Sequence, residues 1–594
     1  MTATRRIYDL LPELYRRLDA RNHHALRDLT EVLEVGRGQI ERDIDGLYRD
    51  WFVETADHAA LDRIGALVGA SDRQADTADH RALVADAVAY RRREGTRAAA
   101  ETRLRDLSGW PVAIAAADEE GSVSIQVWQN QACRSALLTP APFDRARTGS
   151  RAFWLHPLGI DAPLYKMPDR CPGMDRIFAA EHDAPLPLGL DENPGAVAGA
   201  IELQVADAAG EWHGIAPERI VLTALDEWQT RGKHPPDAAV AVDPRRGRLV
   251  ILDPALVGVP LLASFGWVPP GTIGGGSYDR PLPARSASWV AEVDRFAVPT
   301  PGAKSPVFSS LGDALAAFRA VPGCGLIRIL DSATYDIGDA AIHDQADVCL
   351  ADPDAPRRLA IEAAAGESPT VRGALELRGT GSGLDLVLDG LWIDGAIRIE
   401  GRVAMRMTHC TLHACSAMRR ARQAMPAIAI GHAVPGQHVA IADSLVGPLD
   451  LARGVHVDLQ NCVIDGYDQL PAIARRPILT TRRSTVIGDA DLAQLTADDT
   501  LFAGTLAVEH PGRGHIATSI ATDATGVRWR SKLLGEPGYA RLDRHADHAI
   551  TTGASDGGEI GAFGGDRHFP RAALLHSAIT DVLPAGQRYA LSWH

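Results

Sequence analysis

The stretches VLDGLWIDG (387–395), RMTHCTLHA (406–414), AIADSLVG (440–447), DLQNCVIDG (458–466), RRSTVIGD (482–489) and DDTLFAG (498–504) decide the fold. Each is a short strand-like run with turn residues beside it. Ile393, Leu412, Val446, Ile464 and Ile487 hold matching apolar positions, separated by 19, 34, 18 and 23 residues. The long interval contains an insertion, Ser416 to Pro426, rich in Arg and Met. Rungs of about 20 residues, each too small to bury a core alone, are what a parallel β-helix requires. Cys410, Ser444, Cys462, Ser484 and Thr500 recur about two residues before the apolar position. Such small side chains suit a tight interior turn. FSSLGDALAAF (308–318), with Ser309 or Ser310 as N-cap, predicts a short amphipathic helix that covers the open edge of the first coil. The rod is expected over 301–510. Its period leaves its handedness open.

Upstream, the periodicity changes twice. Ile7, Leu10, Leu11, Leu14, Tyr15 and Leu18 form one helical stripe, with Pro12 fitting the first helical position. A second stripe runs Leu26, Leu29, Leu33, Ile40, Ile44 and Leu47, and Gly36 and Gly38 should weaken or bend it. Further helices follow Asp57, end at Gly69, run through Leu83 to Tyr90, and restart at an N-cap Thr96 to stop at Gly109. Residues 1–112 thus read as a helical domain. Glycines inside the second stripe make it a weak isolated helix, which favours support from neighbours or partner chains. From Trp110-Pro111 the period becomes two, as in Val123, Ile125 and Val127, then Ile201, Leu203 and Val205, then Arg248 to Leu252. Residues 113–300 read as a β-rich middle domain, with 255–300 as Pro- and Gly-rich loops and linker that leave room for short strands. The remainder, 511–594, reads as a small C-terminal cap or docking region with a helix over 571–579. The fold class is therefore multi-domain α+β.

Composition bounds the function. The chain has 594 residues, long enough for about four domains. Its formal net charge of −15 argues against general nucleic-acid binding, which needs a positive surface. No stretch reaches the roughly 20 apolar residues of a spanning helix. The start lacks the long apolar core of a secretory signal. Seven scattered cysteines without CxxC fit free thiols made in a reducing cytoplasm.

The sequence holds no zinc-protease, phosphate-loop, hydrolase-elbow or EF-hand motif. The glycine runs 274–276 and 379–383 do not open helices after strands, so they read as loops. His409, Cys410, His413 and Cys415 resemble a metal set, but strand alternation sends Cys410 and the histidines to opposite faces. His545 and His548 beside Asp543 and Asp547 lack further ligands. Asp385, Asp389, Asp394, Asp443, Asp458 and Asp465 could pair across coils about 4.8 Å apart as a glycosidase needs. Three of them, Asp389, Asp394 and Asp465, precede Gly, which reads as turn chemistry. Aromatic residues are 5% of the chain, too few for sugar platforms. The reading is therefore no catalytic, cofactor or metal site. A tailspike-like protein that cleaves or binds polysaccharide is the alternative.

A family resemblance extends this reading. YDLLPELYRRLD (8–19), LYRDWFVETADHAALDRIGALVG (47–69) and AYRRREGTRAAAETRLRDLSGWPV (89–112) resemble the N-terminal part of baseplate proteins of contractile injection systems and contractile-tailed phages. WLHPLGIDAPLY (154–165) and VDPRRGRLVI (242–251) are similar to the family's β-rich middle. GEPGYARL (535–542) and GASDGGEIGAF (553–563) resemble a C-terminal block of its long members. The resemblance implies a wedge subunit of the phage tail protein I type, carrying an inserted pectin-lyase-like, right-handed β-helix. It implies a baseplate J-like partner, other baseplate subunits and a tail fibre as neighbours, in several copies around a ring, assembled in the cytoplasm within a tail-like particle. Carried onto this chain, the contact residues would be Leu10, Leu11, Leu14, Tyr15, Leu26, Leu29, Leu33, Trp51 and Phe52.

Overall fold

A computed structural model describes the chain apart from residues 1–6, 22, 71–79, 117–121, 129–132, 144–150, 168–185, 230–233, 270–272, 279, 281, 284, 286, 301, 304, 322, 345–355, 414–424, 467–469, 526–547, 584–586 and 594. It divides into two compact units. One comprises Met1–Ile125 with Arg571–Ala590, the other Gln126–Pro570 with Leu591–His594.

The first unit is helical. Its N-terminal helices are α1 (Ile7–Leu10), α2 (Glu13–Arg21), α3 (Ala25–Arg49), α4 (His58–Val68), α5 (His80–Arg92) and α6 (Arg97–Ser108). Pro12 sits immediately before α2, one place outside the expected first helical position. Local chemistry fixes the boundaries. Asp57 accepts the Ala60 amide at 2.7 Å and Thr96 that of Ala99 at 3.3 Å, which caps α4 and α6. Gly69 and Gly109 close the same two helices in the left-handed conformation. Gly36 and Gly38 do not break α3, which runs for 25 residues. Two glycines cost about 1 kcal/mol each, too little to break so long a run. Leu61 and Val84 bury one small core, and Leu104 and Leu107 of α6 are also buried. Glu101 is buried because it accepts the Ile114 amide at 2.8 Å, which ties α6 to the strand Val112–Ala116.

The second unit joins a β domain to the rod. The β domain has a five-stranded sheet and a six-stranded sheet sharing one core around Leu155, Leu158, Leu203, Leu249 and Phe265. The two blocks 154–165 and 242–251 meet there. Leu155 donates to the Gly247 carbonyl, Ala162 to that of Arg246, and Arg248 pairs with Asp161 at 2.8 Å. The strand in the Pro- and Gly-rich stretch 255–300 is longer and more central than its sequence indicates. Leu261–Trp267 is buried along its whole length and lies at the centre of the six-stranded sheet. A strand covered on both faces shows no alternation, so its sequence hides it.

Among the described residues the rod is a 23-strand ladder whose strands pair in parallel. It begins at Trp289–Val293, ahead of 301, and its last described strand is Ile520–Thr525. Three stacks of inward side chains fill it. On one face Leu386, Met405, Val439, Val457, Leu479 and Leu495 stand in register. On the next stand Ile393, Leu412, Val446, Ile464, Val486 and Phe502. The repeat position is therefore Val486, not Ile487, which lies opposite Asp465. The third face stacks Ile397, Ile428, Leu449 and Ile473. The helix Leu311–Phe318, capped by Ser310, buries Leu311, Ala314, Leu315 and Phe318 in the same core.

One corner is built alike on six successive coils. His409, Asp443, Asn461, Arg483, Asp499 and Thr518 all have positive φ, between 45° and 53°. The next residues are the Cys, Ser and Thr column that the sequence singled out. Ser444 accepts the Cys410 amide at 3.1 Å, Ser484 that of Cys462 at 3.2 Å, and Ser519 that of Thr500 at 3.1 Å. The column thus supplies acceptors for corner amides that would otherwise be buried without partners.

Candidate partner interface

The expected contact residues lie on the first three helices and the turn after them. Leu10, Leu14, Tyr15, Leu29, Leu33, Trp51 and Phe52 are exposed, and Leu11 and Leu26 are half-buried. The exposed set is larger than the sequence indicated. Leu18, Val32, Val35, Ile40, Ile44, Leu47 and Tyr48 belong to it as well. Trp51 is 75% exposed and Leu14 65%, values that a hydrophobic side chain in a finished core does not show. Val32 and Val35 add a second side of α3 to the main stripe, so that helix is apolar over more than one face. A helix of that kind is normally enclosed by neighbours. Tyr48, Trp51 and Phe52 form an aromatic group, with Tyr48 6.2 Å from Trp51 and 5.4 Å from Phe52 between ring centroids.

The surface has a rigid base. Asp19, at the end of α2, is buried and accepts the amides of Leu26 at 2.7 Å and Arg27 at 3.1 Å and the Tyr8 hydroxyl at 2.9 Å. It caps α3 from another helix. Burial acts to raise its pKa, but the amide and hydroxyl donors together hold it below the usual carboxylate value. This cap carries no local sequence signal, because Asp19 lies six residues before α3 begins.

The residues weighed for chemistry lie elsewhere. In the register of the rod, Glu362 stands opposite Asp389. Both are buried, and two arginines of the segment leading into the rod cover them. Arg285 meets Glu362 at 3.2 Å and Asp389 at 3.0 Å, and Arg328 meets Glu362 at 2.7 Å. Arg280, itself fully buried, lies 3.8 Å from Asp389 and donates to the carbonyls of Ala363, Ala364 and Glu367. Burial raises the Asp389 pKa against the pull of both arginines. Asp389 and Asp394 are thus ion-pair partners, not merely turn residues, since Asp394 is buried against Arg372 at 3.4 Å. Asp385 pairs with Arg358, Asp458 with His438, and Asp443 accepts from the Asn461 amide.

Cys410 and Leu412 are buried, while His409 and His413 are half-buried; Cys415 lies outside the described residues. Burial pushes the Cys410 and Cys462 thiols up to about 12, so neither is a nucleophile at neutral pH. No group of three or more possible metal ligands occurs among the described residues. His545, Asp543 and Asp547 lie outside them. The glycines at 379–383 belong to the strand Thr370–Asp389, not to a loop, and Gly381 and Gly383 donate to the buried Asp344 carboxylate. Among the described residues no helix is long and apolar enough to cross a membrane.

No protein-family model matches the sequence, and no curated protein matches it either.

Proposed function

We propose that this chain is a structural wedge subunit of the baseplate of a contractile injection system or phage-like tail. It anchors through α1–α3 and presents a stiff, right-handed, pectin-lyase-like β-helix to its neighbours. One observation carries this reading: fourteen large hydrophobic side chains between Leu10 and Phe52 are exposed. Contiguous apolar surface beyond a few hundred Å² marks an interaction site. Each such side chain contributes roughly 1.5–3 kcal/mol when fully buried, ample to hold a partner helix after the entropic cost of association. The occupant fitting two apolar sides of α3 is an amphipathic helical bundle from a baseplate J-like partner.

The rod supports a mechanical role. Each coil is hydrogen-bonded to the next along the axis, so bending breaks several ladders together. The stacked carboxylates Glu362 and Asp389 are buried and ion-paired with Arg285, which favours a structural role for this pair over an acid–base one. The same contacts fasten the rod to the segment that leads into it. Force arriving at the N-terminal helices would pass into a rigid arm or bracket that braces the baseplate or meets a fibre.

Deleting residues 1–52 tests the reading. Incorporation into particles, followed by pull-down, should be lost while the rod remains folded by circular dichroism. Normal incorporation of the truncated chain would overturn it.

A further inference from the structure

Two segments that flank the rod in sequence dock on it in the same way. Ile273-Gly274-Gly275 precedes the rod and Ile560-Gly561-Ala562 follows it. Gly274 donates its amide to the carbonyl of the corner residue Asp443 at 2.8 Å, and Gly561 to that of the corner residue Asp499 at 2.8 Å. The next residue then donates to a threonine hydroxyl one coil back. Gly275 reaches Thr411 Oγ1 at 3.0 Å and Ala562 reaches Thr485 Oγ1 at 2.9 Å. Both isoleucines are buried. Ile273 packs in a cluster with Leu445 and Val463, and Ile560 in one with Leu501 and Ile520.

The register is also the same. Thr411, Leu445 and Val463 occupy one column on three successive coils, and Thr485, Leu501 and Ile520 occupy it three coils further on. In both segments the apolar residue lies over the third of these coils, the glycine over the second and the small residue over the first. Gly274 and Gly561 have φ of 91° and 104°, a region that side chains disfavour. A Cβ on Gly274 would lie 2.7 Å from Thr411 Oγ1, and one on Gly561 2.6 Å from Thr485 Oγ1. The straps meet at Val463, where Ile273, Ala562 and Phe563 share a cluster.

One strap is tethered before the rod and the other after it, so the fit depends on segment chemistry and not on the tether. We infer that this corner column is a recognition strip for extended apolar–Gly–small segments, and that Ile560–Ala562 is a separable occupant which the same segment supplied in trans can replace. The reading elements are the corner carbonyl, the threonine hydroxyl and the apolar position one coil beyond. Branched residues at the glycine position are rejected by the threonine itself.

The test uses the full chain carrying Ile560→Asp and Gly561→Val, which frees the strip, and a fluorescent peptide of residues 553–566. The peptide should bind the variant saturably and the wild-type chain at least tenfold more weakly, because there the strip is filled. Gly561→Val in the peptide, or Thr485→Val added to the chain, should each weaken binding at least tenfold. A folded variant that does not bind the peptide, or that binds the Gly561→Val peptide equally, would overturn the inference. Should the double variant fail to fold, Thr485→Val alone provides the readout. The Gly561 and Ala562 amides should then exchange hydrogen at least tenfold faster, and unchanged exchange would overturn the inference equally.

Discussion

Replacing Trp392 tests how the rod is fused to the β domain. Trp392 opens a short rod strand, yet its side chain belongs to the β-domain core. It is 1% exposed, its ring lies 4.4 Å from His156 and 5.9 Å from Trp267, and its indole donates to the Gly275 carbonyl at 2.7 Å. A buried aromatic of this size removes about 150–250 Å² from water. At roughly 25 cal/mol/Å² that is about 4–6 kcal/mol as an upper bound. Large aromatic-to-alanine changes in cores cost about 3–5 kcal/mol. Trp392→Ala is therefore expected to lower the local opening free energy of the β domain by about 3–5 kcal/mol. Trp392→Phe keeps most of the area but strands the Gly275 carbonyl, for about 1–3 kcal/mol. Native-state hydrogen exchange measures both at the amides of Ile201–Ala206 and Leu261–Trp267, with His456–Gln460 as the rod reference. A loss below about 1 kcal/mol for Trp392→Ala would refute the fused junction.

Other expectations follow from the same contacts. His156 is buried with its pKa pushed down to about 3, so between that value and 6.5 the unfolded chain binds the extra proton. Its contribution to stability is present above pH 6.5 and is lost as pH falls toward 3, at about 1.4 kcal/mol per pH unit, and His156→Gln should flatten that slope in pH-dependent denaturation. Asp19 has a lowered pKa, so its cap on α3 holds above the unfolded carboxylate value and weakens on acidification; Asp19→Asn should remove that acid sensitivity from the helical signal of the first unit. Arg280→Met should cost about 3–5 kcal/mol, because it leaves Asp389 buried with one partner fewer and takes a charged donor from three carbonyls, and proteolysis within 268–288 reads the loosening. Leu33→Asp with Trp51→Asp should leave the monomer's thermal midpoint within a few degrees of wild type while abolishing partner capture, since both side chains are exposed.

The rod was legible because a coil repeats both its inward apolar residue and its corner. Where the two signals conflict, the corner is the better guide. Val486 and Ile487 are both apolar, but Ser484 follows the left-handed Arg483, and aligning it with Cys462 places Val486 opposite Ile464. The cap at Thr96 was legible for the same reason, since it is a local contact, and Ser310 was one of two candidates for its helix. Long-range contacts were not. Asp389-Gly390 reads as a turn, and only the fold brings Arg280 and Arg285 from more than a hundred residues upstream onto its carboxylate. Leu261–Trp267 carries no alternation because both its faces are covered. The straps are short and glycine-rich, and their meaning lies in the coils beneath them. The apolar stripe on α3 was visible as a period, but a period does not tell an inward face from an outward one. Exposure of Leu29, Leu33 and Ile40 in the folded chain is what turns it into a surface.

Cryo-electron microscopy of the native particle tests the central claim most directly. Density for this chain is expected at the end of a contractile tail, with α1–α3 enclosed in a multi-chain helical bundle and the rod projecting as an arm. A free soluble assembly with α1–α3 bare and a carbohydrate bound along the rod would contradict it.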